Sequence, residues 1–412
     1  MRHGLAVLVF GLNLLPVVGL AATRYVSTTG VDNLTCGQLS TCASIQHAVT
    51  IANPGDTVRI ANGTYSELAG VTIDKSLTVE GASSFFTRVE TGTNVDVISI
   101  EAGATVTIRR LYVRHRPPLA GSGIVNFGDL TLEAVRVTQN QAAFGGGIFN
   151  APEASLRMYG SFVSHNVAIK SQVGCGGGGI FNIGFAALDD VTVLANHVSP
   201  NCIGGGIVNL GGLLRVVRSL VSLNDSEGIA SEAPLIVIDT TVSRNKRYGI
   251  WTLSDGQTLL NHVTVAENGH GGIGSIGQFL QSTTAGLFLQ SGSEVTLLNT
   301  IVANNSPVQC LLQGTALVNG SASLDSDNTC GLFPPDNLIG VNPKLGPLKD
   351  NGGTTQTHAL GSGSPAIDHA SSEFCTPTDQ RGVNRPVDGD RDGEALCDIG
   401  AYELVPIVRE IQ

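Results

Sequence analysis

The chain carries a repeated pattern of apolar and polar positions, first seen in the segment that starts at Ile108. In each copy an apolar residue and two variable residues precede alternating apolar positions and a turn. Alternation with a period of two indicates strands with one buried face, and most copies recur after roughly 20 to 30 residues, which is typical of one solenoid coil. The pattern therefore predicts a β-solenoid whose strands pair in parallel between coils. The residues at the eight closing turns are Arg116, Asn140, Asn166, Asn196, Asn224, Asn245, Asn268 and Asn305.

A second column of apolar residues runs beside the first, and glycine usually precedes each member. Two columns in each repeat predict at least two short strands per coil. We further expect each turn asparagine to bond to the backbone and to the asparagine of the next coil, as stacked amides do. The members of this second column are Ile124, Ile148, Ile180, Ile207, Ile229, Ile250 and Ile273.

The two ends of the predicted solenoid differ from its middle. Between Cys42 and Pro54 apolar residues recur at helical spacing behind Ser44, which predicts an amphipathic helix that covers the bottom coil. After about Leu332 the repeat gives way to Pro, Gly and Asp, which predicts an irregular C-terminal cap. The expected organisation is a signal peptide at 1–21, a strand and capping helix at 22–57, a β-helix of about 11 coils at 58–331 and the cap at 332–412.

The first residues also indicate export. Arg2 and His3 precede an apolar stretch from Leu5 to Leu20. This stretch ends beside small residues, as in a cleaved signal peptide. No other segment is long and apolar enough to cross a bilayer, so the mature chain is expected to lack a membrane span. The net charge of −11 argues against nucleic acid as a partner, because its binding depends on basic residues.

Eight cysteines in an exported chain predict disulfides. Cys175 and Cys202 each lie five residues before a member of the isoleucine column, Ile180 and Ile207. Equal register on adjacent coils would hold them about 4.8 Å apart, within disulfide reach. The other expected pairs, for which spacing alone does not fix the connectivity, are Cys36 with Cys42, Cys310 with Cys330, and Cys375 with Cys397.

With these features in place, the chain resembles right-handed parallel β-helix proteins of the pectin-lyase-like superfamily. The N-terminal part of the resemblance lies in Tyr25-Val26-Ser27, in the segment Asn53-Pro54-Gly55-Asp56-Thr57-Val58 and in Asn62-Gly63-Thr64-Tyr65. The C-terminal part resembles the choice-of-anchor Q module of bacterial secreted proteins, through Ser364-Pro365-Ala366-Ile367-Asp368, Asp379-Gln380-Arg381-Gly382, Arg385-Pro386 and Asp398-Ile399-Gly400-Ala401-Tyr402-Glu403. The resemblance implies an all-β, right-handed parallel β-helix that is secreted or held at the cell surface or in the periplasm.

The superfamily includes polysaccharide lyases and glycoside hydrolases, and the repeat register aligns side chains that could carry such chemistry. Six residues before the closing turns stand Asp190, Arg218, Asp239 and His262, which would stack on one face. A base and a cation beside a uronate, with calcium held by aspartate, could support a lyase reaction. The alternative is a ladder of alternating charge that only stabilises the sheet surface.

A hydrolase-like pair of motifs is present but separated. Asp189-Asp190 and Gly269-His270-Gly271 lie about three coils apart, too far to flank one glycosidic bond. His270 is nevertheless a further catalytic candidate, because it lies in the longest interval between closing turns, which could wall a cleft.

Two groups of residues are candidates for ligand binding. Arg110, Arg114 and Arg116 lie in a basic cluster with Arg109 and His115 that could face an anionic sugar or be a solvated coil edge. Tyr248 and Trp251 could stack on a sugar ring or pack in a turn.

An acidic loop in the cap is a candidate calcium site. Its acidic residues alternate with others before Gly393, which is how calcium loops gather oxygen ligands, although no EF-hand helices flank it. The candidate Ca²⁺ ligands are Asp388, Asp390, Asp392, Glu394 and Asp398.

Three hypotheses for function follow. The first is a monomeric secreted or surface β-helix that binds an extracellular polysaccharide or cell-surface glycan without catalysis. The second is a calcium-assisted lyase, or a glycoside hydrolase, that acts on acidic polysaccharide. The third is a rigid structural stalk. An enzyme would need ionisable groups that converge in a concave site, whereas the predicted column is linear.

Overall fold

The structure is a computed structural model that describes residues 21–116, 119–269 and 284–406. Within these ranges the chain forms a right-handed parallel β-helix, as the sequence predicts. The helical segments are the α-helix Ile45–Ile51 and a 3₁₀ turn at Ser372–Phe374. Neither of them is long and apolar enough to span a membrane.

Three long parallel sheets form the sides of the β-helix, each with its strands stacked in chain order. The first sheet contains Thr23–Val26, Thr57–Ile60, Leu77–Gly81, Thr105–Arg109, Asp129–Glu133, Ser155–Tyr159, Phe185–Asp189, Leu214–Val217, Leu235–Ile238, Gln257–Asn261, Glu294–Leu298 and Leu317–Ser321. The second contains Val71–Ile73, Ile98–Ile100, Ile124–Asn126, Ile148–Asn150, Ile180–Asn182, Ile207–Asn209, Ile229–Ser231, Tyr248–Thr252, Ala285–Leu289 and Val308–Leu312. The third contains Gly63–Ser66, Thr87–Thr91, Tyr112–His115, Arg136–Thr138, Phe162–Ser164, Thr192–Leu194, Leu220–Ser222, Thr241–Ser243, Thr264–Ala266, Ile301–Ala303, Leu324–Asp325 and Leu338–Ile339. A short fourth sheet joins Gln141–Ala142, Val167–Ala168 and His197–Val198.

The isoleucine column lies in the second sheet with the predicted register. Ile124 pairs with Ile148, and the pairing continues through Ile180, Ile207 and Ile229 to Ile250. The predicted last member is wrong, because the residue beside Ile250 is Leu287. Ile273 lies outside the described residues, and the strand that pairs with Tyr248–Thr252 is Ala285–Leu289. Inward side chains of all three sheets form one continuous apolar core.

The turn asparagines form the predicted ladder. From Asn140 to Asn268, each buried side-chain amide donates to the amide oxygen of the next asparagine at 2.9 to 3.1 Å, and Asn305 ends the series by donating to Gln309. The same oxygens accept backbone N–H groups at 2.9 to 3.1 Å. A second ladder, which was not predicted, closes the second sheet through Asn126, Asn150, Asn182, Asn209 and Ser231. The coil register is therefore fixed by buried amides at two corners.

The N-terminal helix covers the first coils as predicted. Ser44 caps Ile45–Ile51 by accepting the N–H of His47 at 3.1 Å, and the helix buries Ile45, Ala48 and Val49. The buried carboxylate of Glu67 accepts a second N–H of the first turn, that of Ile45. Apolar packing and satisfied donors therefore hold the helix against the bottom of the core.

The C-terminal tail, residues 341–406, does more than close the end of the solenoid. It folds back along the outer face of the third sheet, where Gln380 accepts a hydrogen bond from Thr241 at 2.7 Å and His358 bonds with Ser243 at 2.8 Å. Further along, Thr264 accepts the N–H of Ala401 at 3.0 Å. The tail thus covers the outer face of the third sheet on the C-terminal coils, including those of Thr241–Ser243 and Thr264–Ala266.

All eight cysteines are paired as expected: Cys36 with Cys42, Cys175 with Cys202, Cys310 with Cys330, and Cys375 with Cys397. The Cα atoms of Cys175 and Cys202 are 5.1 Å apart on adjacent coils, close to the separation expected from the register. This bridge joins two coils, whereas the bridge from Cys375 to Cys397 lies within the tail.

Replacement of Asn196 by alanine is expected to destabilise the fold by about 2–4 kcal/mol, because the buried backbone N–H and one side-chain N–H of Asn166 lose their acceptor and the amide oxygen of Asn224 loses one of its two donors. Denaturant unfolding measures the change. The matched control is Asn319→Ala, whose exposed side chain donates to Glu294 and whose loss should change stability by about 0.5 kcal/mol or less. Equal effects of the two substitutions would contradict the role of the ladder.

Candidate functional site

The predicted charged column exists, and it runs along the turn between the first and third sheets. Asp190, Arg218, Asp239 and His262 all have left-handed backbone, with φ between 44° and 59°. Each backbone N–H donates to the neighbouring coil at 3.0 to 3.1 Å. The four residues therefore stack on successive coils, as the repeat predicts.

The tail covers the later half of this column. Thr376 donates to the carboxylate of Asp239 at 2.8 Å, and both Asp239 and His262 are buried. His262 contacts the guanidinium of Arg385 through one ring nitrogen and Asn299 through the other, at 3.0 Å. A catalytic role for Asp239 or His262 on a polymer therefore lacks support from the geometry, because the tail closes both side chains off from solvent.

Arg385 is the centre of the buried polar cluster beneath the tail. Its side chain is fully buried, lies 3.6 Å from Glu403 and 3.9 Å from Asp239, and donates to the carbonyls of Asp398 and Gly400. Burial raises the pKa of Asp239 to about 7, although Arg385 and Thr376 oppose the shift. Burial and the neighbouring Arg385 hold the pKa of His262 well below its usual value. The cluster therefore joins the tail to the helix.

The earlier half of the column stays partly exposed. Arg218 pairs with Asp189 at 2.5 Å, outside the column, while Thr354 of the tail donates to Asp190. Burial raises the pKa of Asp190, and the charge of Asp189 adds to the shift while Thr354 and Arg218 oppose it. The column is thus not a simple ladder of alternating pairs. His270 lies outside the described residues.

The predicted basic cluster is largely neutralised by its neighbours. Arg110 pairs with Glu80 at 2.5 Å, and Arg114 and Arg116 share the buried Glu90 at 2.9 and 2.8 Å. Arg109 in turn pairs with Glu133 at 2.8 Å. His115 is buried. Only Arg114 and Arg116 lie at the outer face of the third sheet, where Glu90 offsets one of their two charges.

Two other arginines lie half-buried on that face, in what we call the Arg–aromatic row: Arg88, Tyr112, Arg136 and Phe162. The Nε atom of Arg88 is buried without a hydrogen-bond partner. Strand register places the four on successive coils of the third sheet, upstream of the part that the tail covers. The guanidinium of Arg88 lies 5.3 Å from the ring centre of Tyr112, and that of Arg136 lies 4.5 Å from Phe162. A second ring, that of the exposed Phe85, lies 4.7 Å from Arg136.

Neither arginine of the row has a carboxylate partner among the residues that the structure describes. Cation–π contacts with aromatic rings hold them instead. The sequence prediction missed this row, although its signal was present: Tyr112, Arg136 and Phe162 each stand four residues before a closing turn. The predicted site followed the column six residues before the turns, which is a different column.

The two predicted aromatic ligands pack mainly against other side chains. Tyr248 is buried, 4.7 Å from the ring of Phe288, and Trp251 stacks on Phe288 at 5.6 Å. Arg247 covers the edge of this cluster, 4.9 Å from Tyr248. Stacking of a sugar on Tyr248 is therefore excluded by its burial in this conformation.

The structure brings together only two of the five predicted calcium ligands, Asp388 and Asp390, and adds Asp368, which the sequence did not predict. Oxygens of Asp368, Asp388 and Asp390 lie within 4.8 Å of one another. Asp392 instead accepts the N–H of Glu394, and the buried Asp398 accepts N–H groups of Asp368 and Leu404. One oxygen of Asp388 is buried without a hydrogen-bond partner. Asp368 was not predicted because it lies far from the loop in sequence.

No protein-family model and no curated protein sequence matches this chain. Among solved structures, the pectate lyase Pel9A matches it with a TM-score of 0.56 at 14% identity, over 93% of this chain and 96% of that enzyme. The active domain of bacteriophage CBA120 tailspike protein 2 gives 0.48 at 11% identity, over 78% of this chain and 52% of that one. Pectin methylesterase PemA from Erwinia chrysanthemi gives 0.37 at 12%, over 77% and 92%. The likeness to Pel9A shows that the chain has the pectin-lyase-like parallel β-helix fold.

The stabilisation contributed by Asp239 is expected to depend on pH. Its pKa is raised from 3.8 to about 7 in the folded chain, so its contribution is present below about pH 4 and is lost as the pH rises through 7. Asp239→Asn should remove this contribution while Arg385, Asp379, Arg218 and His262 remain. The stability of the native protein relative to this variant, from thermal unfolding, should therefore fall between about pH 4 and pH 7 and then level off. A difference that stays constant with pH would rule out this titration.

Proposed function

We propose that this protein is an exported, non-catalytic β-helix that binds acidic polysaccharide along the Arg–aromatic row. The observation that carries the proposal is that Arg88 and Arg136 rest on aromatic rings rather than on carboxylates. Among the residues that the structure describes, twelve other arginines have an acidic partner within 4.0 Å, in a chain whose net charge is −11. Two uncompensated cations on one open sheet face suit an anionic ligand.

The row has the chemistry that carboxylate recognition needs. A guanidinium stacked on a ring uses its flat face for that contact and keeps its N–H donors in the plane, where they can bind a carboxylate in bidentate fashion. Because Phe85 and Phe162 both contact Arg136, that side chain is already ordered, which lowers the entropy cost of binding. An extended polymer could follow the row along the helix axis.

Catalysis is the competing hypothesis, and Asp190 is the observation that favours it. Its pKa is raised by burial and by Asp189, whereas Arg218 pairs with Asp189. Two carboxyls in unlike environments can divide acid and base roles. Incubation with polygalacturonate and alginate, with and without calcium, tests this: unsaturated uronate absorbance that disappears in Asp190→Asn would support a lyase, and its absence supports binding alone.

The tail is proposed to be a module of the choice-of-anchor Q type. Support comes from the motif residues, since several of them make the contacts that dock the tail. Gln380 bonds with Thr241, Arg385 contacts His262, and Glu403 accepts N–H groups within the tail. In this proposal the module is a lateral cover of the β-helix.

Replacement of Arg136 by glutamine is expected to weaken binding of acidic polysaccharide about tenfold, because one charge-assisted hydrogen-bond pair is worth about 1.5–3 kcal/mol. Calorimetry with hyaluronan, alginate and polygalacturonate measures the effect, with neutral dextran as the uncharged comparison. The matched control is Arg215→Gln, which removes an exposed arginine from the first sheet. The proposal fails if no acidic polymer binds, or if both variants bind like the native protein.

We also propose that calcium binds Asp368, Asp388 and Asp390. Three carboxylates close together repel one another unless a cation lies between them, and oxygen ligands of this kind suit Ca²⁺. Bound calcium would join the acidic loop to the segment that contains Asp368 and so stabilise the tail.

Calcium is therefore expected to raise the unfolding midpoint, with a stabilisation of about 2.7 kcal/mol at one hundred times the dissociation constant. Asp388→Asn should abolish this shift, whereas Asp392→Asn, on the same loop but outside the cluster, should retain it. Scanning calorimetry with calcium and with a chelator gives the comparison. Equal shifts in both variants would place the ion elsewhere.

A further inference from the structure

The two arginines of the Arg–aromatic row are separated by one coil. Arg88 aligns with Tyr112, Tyr112 with Arg136, and Arg136 with Phe162. Since neighbouring strands are about 4.8 Å apart, the two guanidinium groups belong to coils roughly 9.6 Å apart along the axis. Cation and ring thus alternate from coil to coil.

The row also has defined ends. On the preceding coil, Arg88 pairs with Thr64, and on the following coil, Phe162 pairs with Thr192. Beyond Thr192 the tail begins to cover the face, with Thr354 on Asp190 and Thr355 on the carbonyl of Arg218. The recognition element is therefore four coils long and contains two cations.

The binding free energy of an anionic group depends on where it lies along the row. Beside the guanidinium of Arg88 or Arg136 it can accept hydrogen bonds from the in-plane N–H donors. The rings of Tyr112 and Phe162 lie beneath the guanidinium groups of Arg88 and Arg136. An anionic group midway between the two guanidinium groups would therefore lose water without a cation of its own, which is unfavourable for a charge. An uncharged sugar unit, by contrast, can pack its apolar surface against the ring edge.

We infer that the row selects polysaccharides that carry a carboxylate on every second sugar, with an uncharged sugar between. One sugar of an extended chain covers about the rise of one coil, roughly 4.8 Å, so alternating acidic and neutral units match the two-coil separation of the guanidinium groups of Arg88 and Arg136. Four coils then recognise about one tetrasaccharide, with two carboxylates. This inference rests on the proposed function, because it specifies the ligand of the same surface.

Calorimetry with octasaccharides at one ionic strength tests the inference. Hyaluronan and unsulfated chondroitin octasaccharides carry a carboxylate on alternate sugars and differ in stereochemistry, whereas an oligogalacturonate octamer carries one on every sugar. Both alternating ligands are expected to bind about tenfold more tightly than the galacturonate, since a carboxylate held between the two arginines without a cation of its own costs about 1–3 kcal/mol. An uncharged cello-oligosaccharide should not bind detectably.

Single substitutions test whether hyaluronan binding depends on Arg88 and Arg136 and not on other surface arginines. Arg88→Gln and Arg136→Gln should each weaken hyaluronan binding about tenfold, and Arg136→Lys should restore only part of the loss because it lacks the planar donor pair. Arg215→Gln should bind like the native protein, and unchanged thermal unfolding confirms that each variant is folded.

The outcomes distinguish the inference from the function it rests on. If the galacturonate binds as tightly as the two alternating ligands, the spacing inference is wrong and acidic-polysaccharide binding stands. If only one alternating ligand binds more tightly than the galacturonate, stereochemistry and not charge spacing governs selection, and the inference is also wrong. If none of the acidic octasaccharides binds, the proposed function itself fails.

Discussion

Buried amide pairs between successive coils hold this molecule in register. From Asn166 to Asn268, the side chain of each turn asparagine uses its donors and acceptor on the coils above and below, so a slip of one residue in any coil would leave several polar groups unpaired in the core. Because the register is fixed in this way at two corners, outward side chains on the three sheets form straight columns. Columns, rather than convergent pockets, are the surface chemistry that this fold offers.

The third sheet uses its columns in two ways. Its later coils present Thr241, Ser243 and Thr264, which bond with the tail. Its earlier coils present arginines and aromatic rings with no such cover. The tail therefore closes part of the charged turn column, including Asp239 and His262, and leaves the Arg–aromatic row open. One face thus combines an intramolecular docking surface with a candidate ligand surface.

The repeat was enough to predict the solenoid, the asparagine ladder and the bridge between Cys175 and Cys202, because each depends on residue spacing along the coils. The capping helix followed from helical spacing between Cys42 and Pro54. It was not enough for the candidate site. The tail lies beside coils more than a hundred residues away in sequence, as the contact of Arg385 with His262 illustrates, and no periodicity encodes that contact. The cluster of Arg110, Arg114 and Arg116 looked cationic in sequence, whereas Glu80 and Glu90 of the preceding coil neutralise much of it. Conversely, Arg136 lay in the predicted register, but its freedom from carboxylates could be judged only from the neighbouring strands.

The most direct test of the account is a crystal structure of the protein with a hyaluronan octasaccharide. Binding along the third sheet predicts two sugar carboxylates at hydrogen-bond distance from the guanidinium groups of Arg88 and Arg136, about 2.7–2.9 Å between nitrogen and oxygen. It further predicts a neutral sugar against Tyr112 between them. A saccharide bound on the second sheet, or one that displaces the tail to reach Asp239 and His262, would contradict the account.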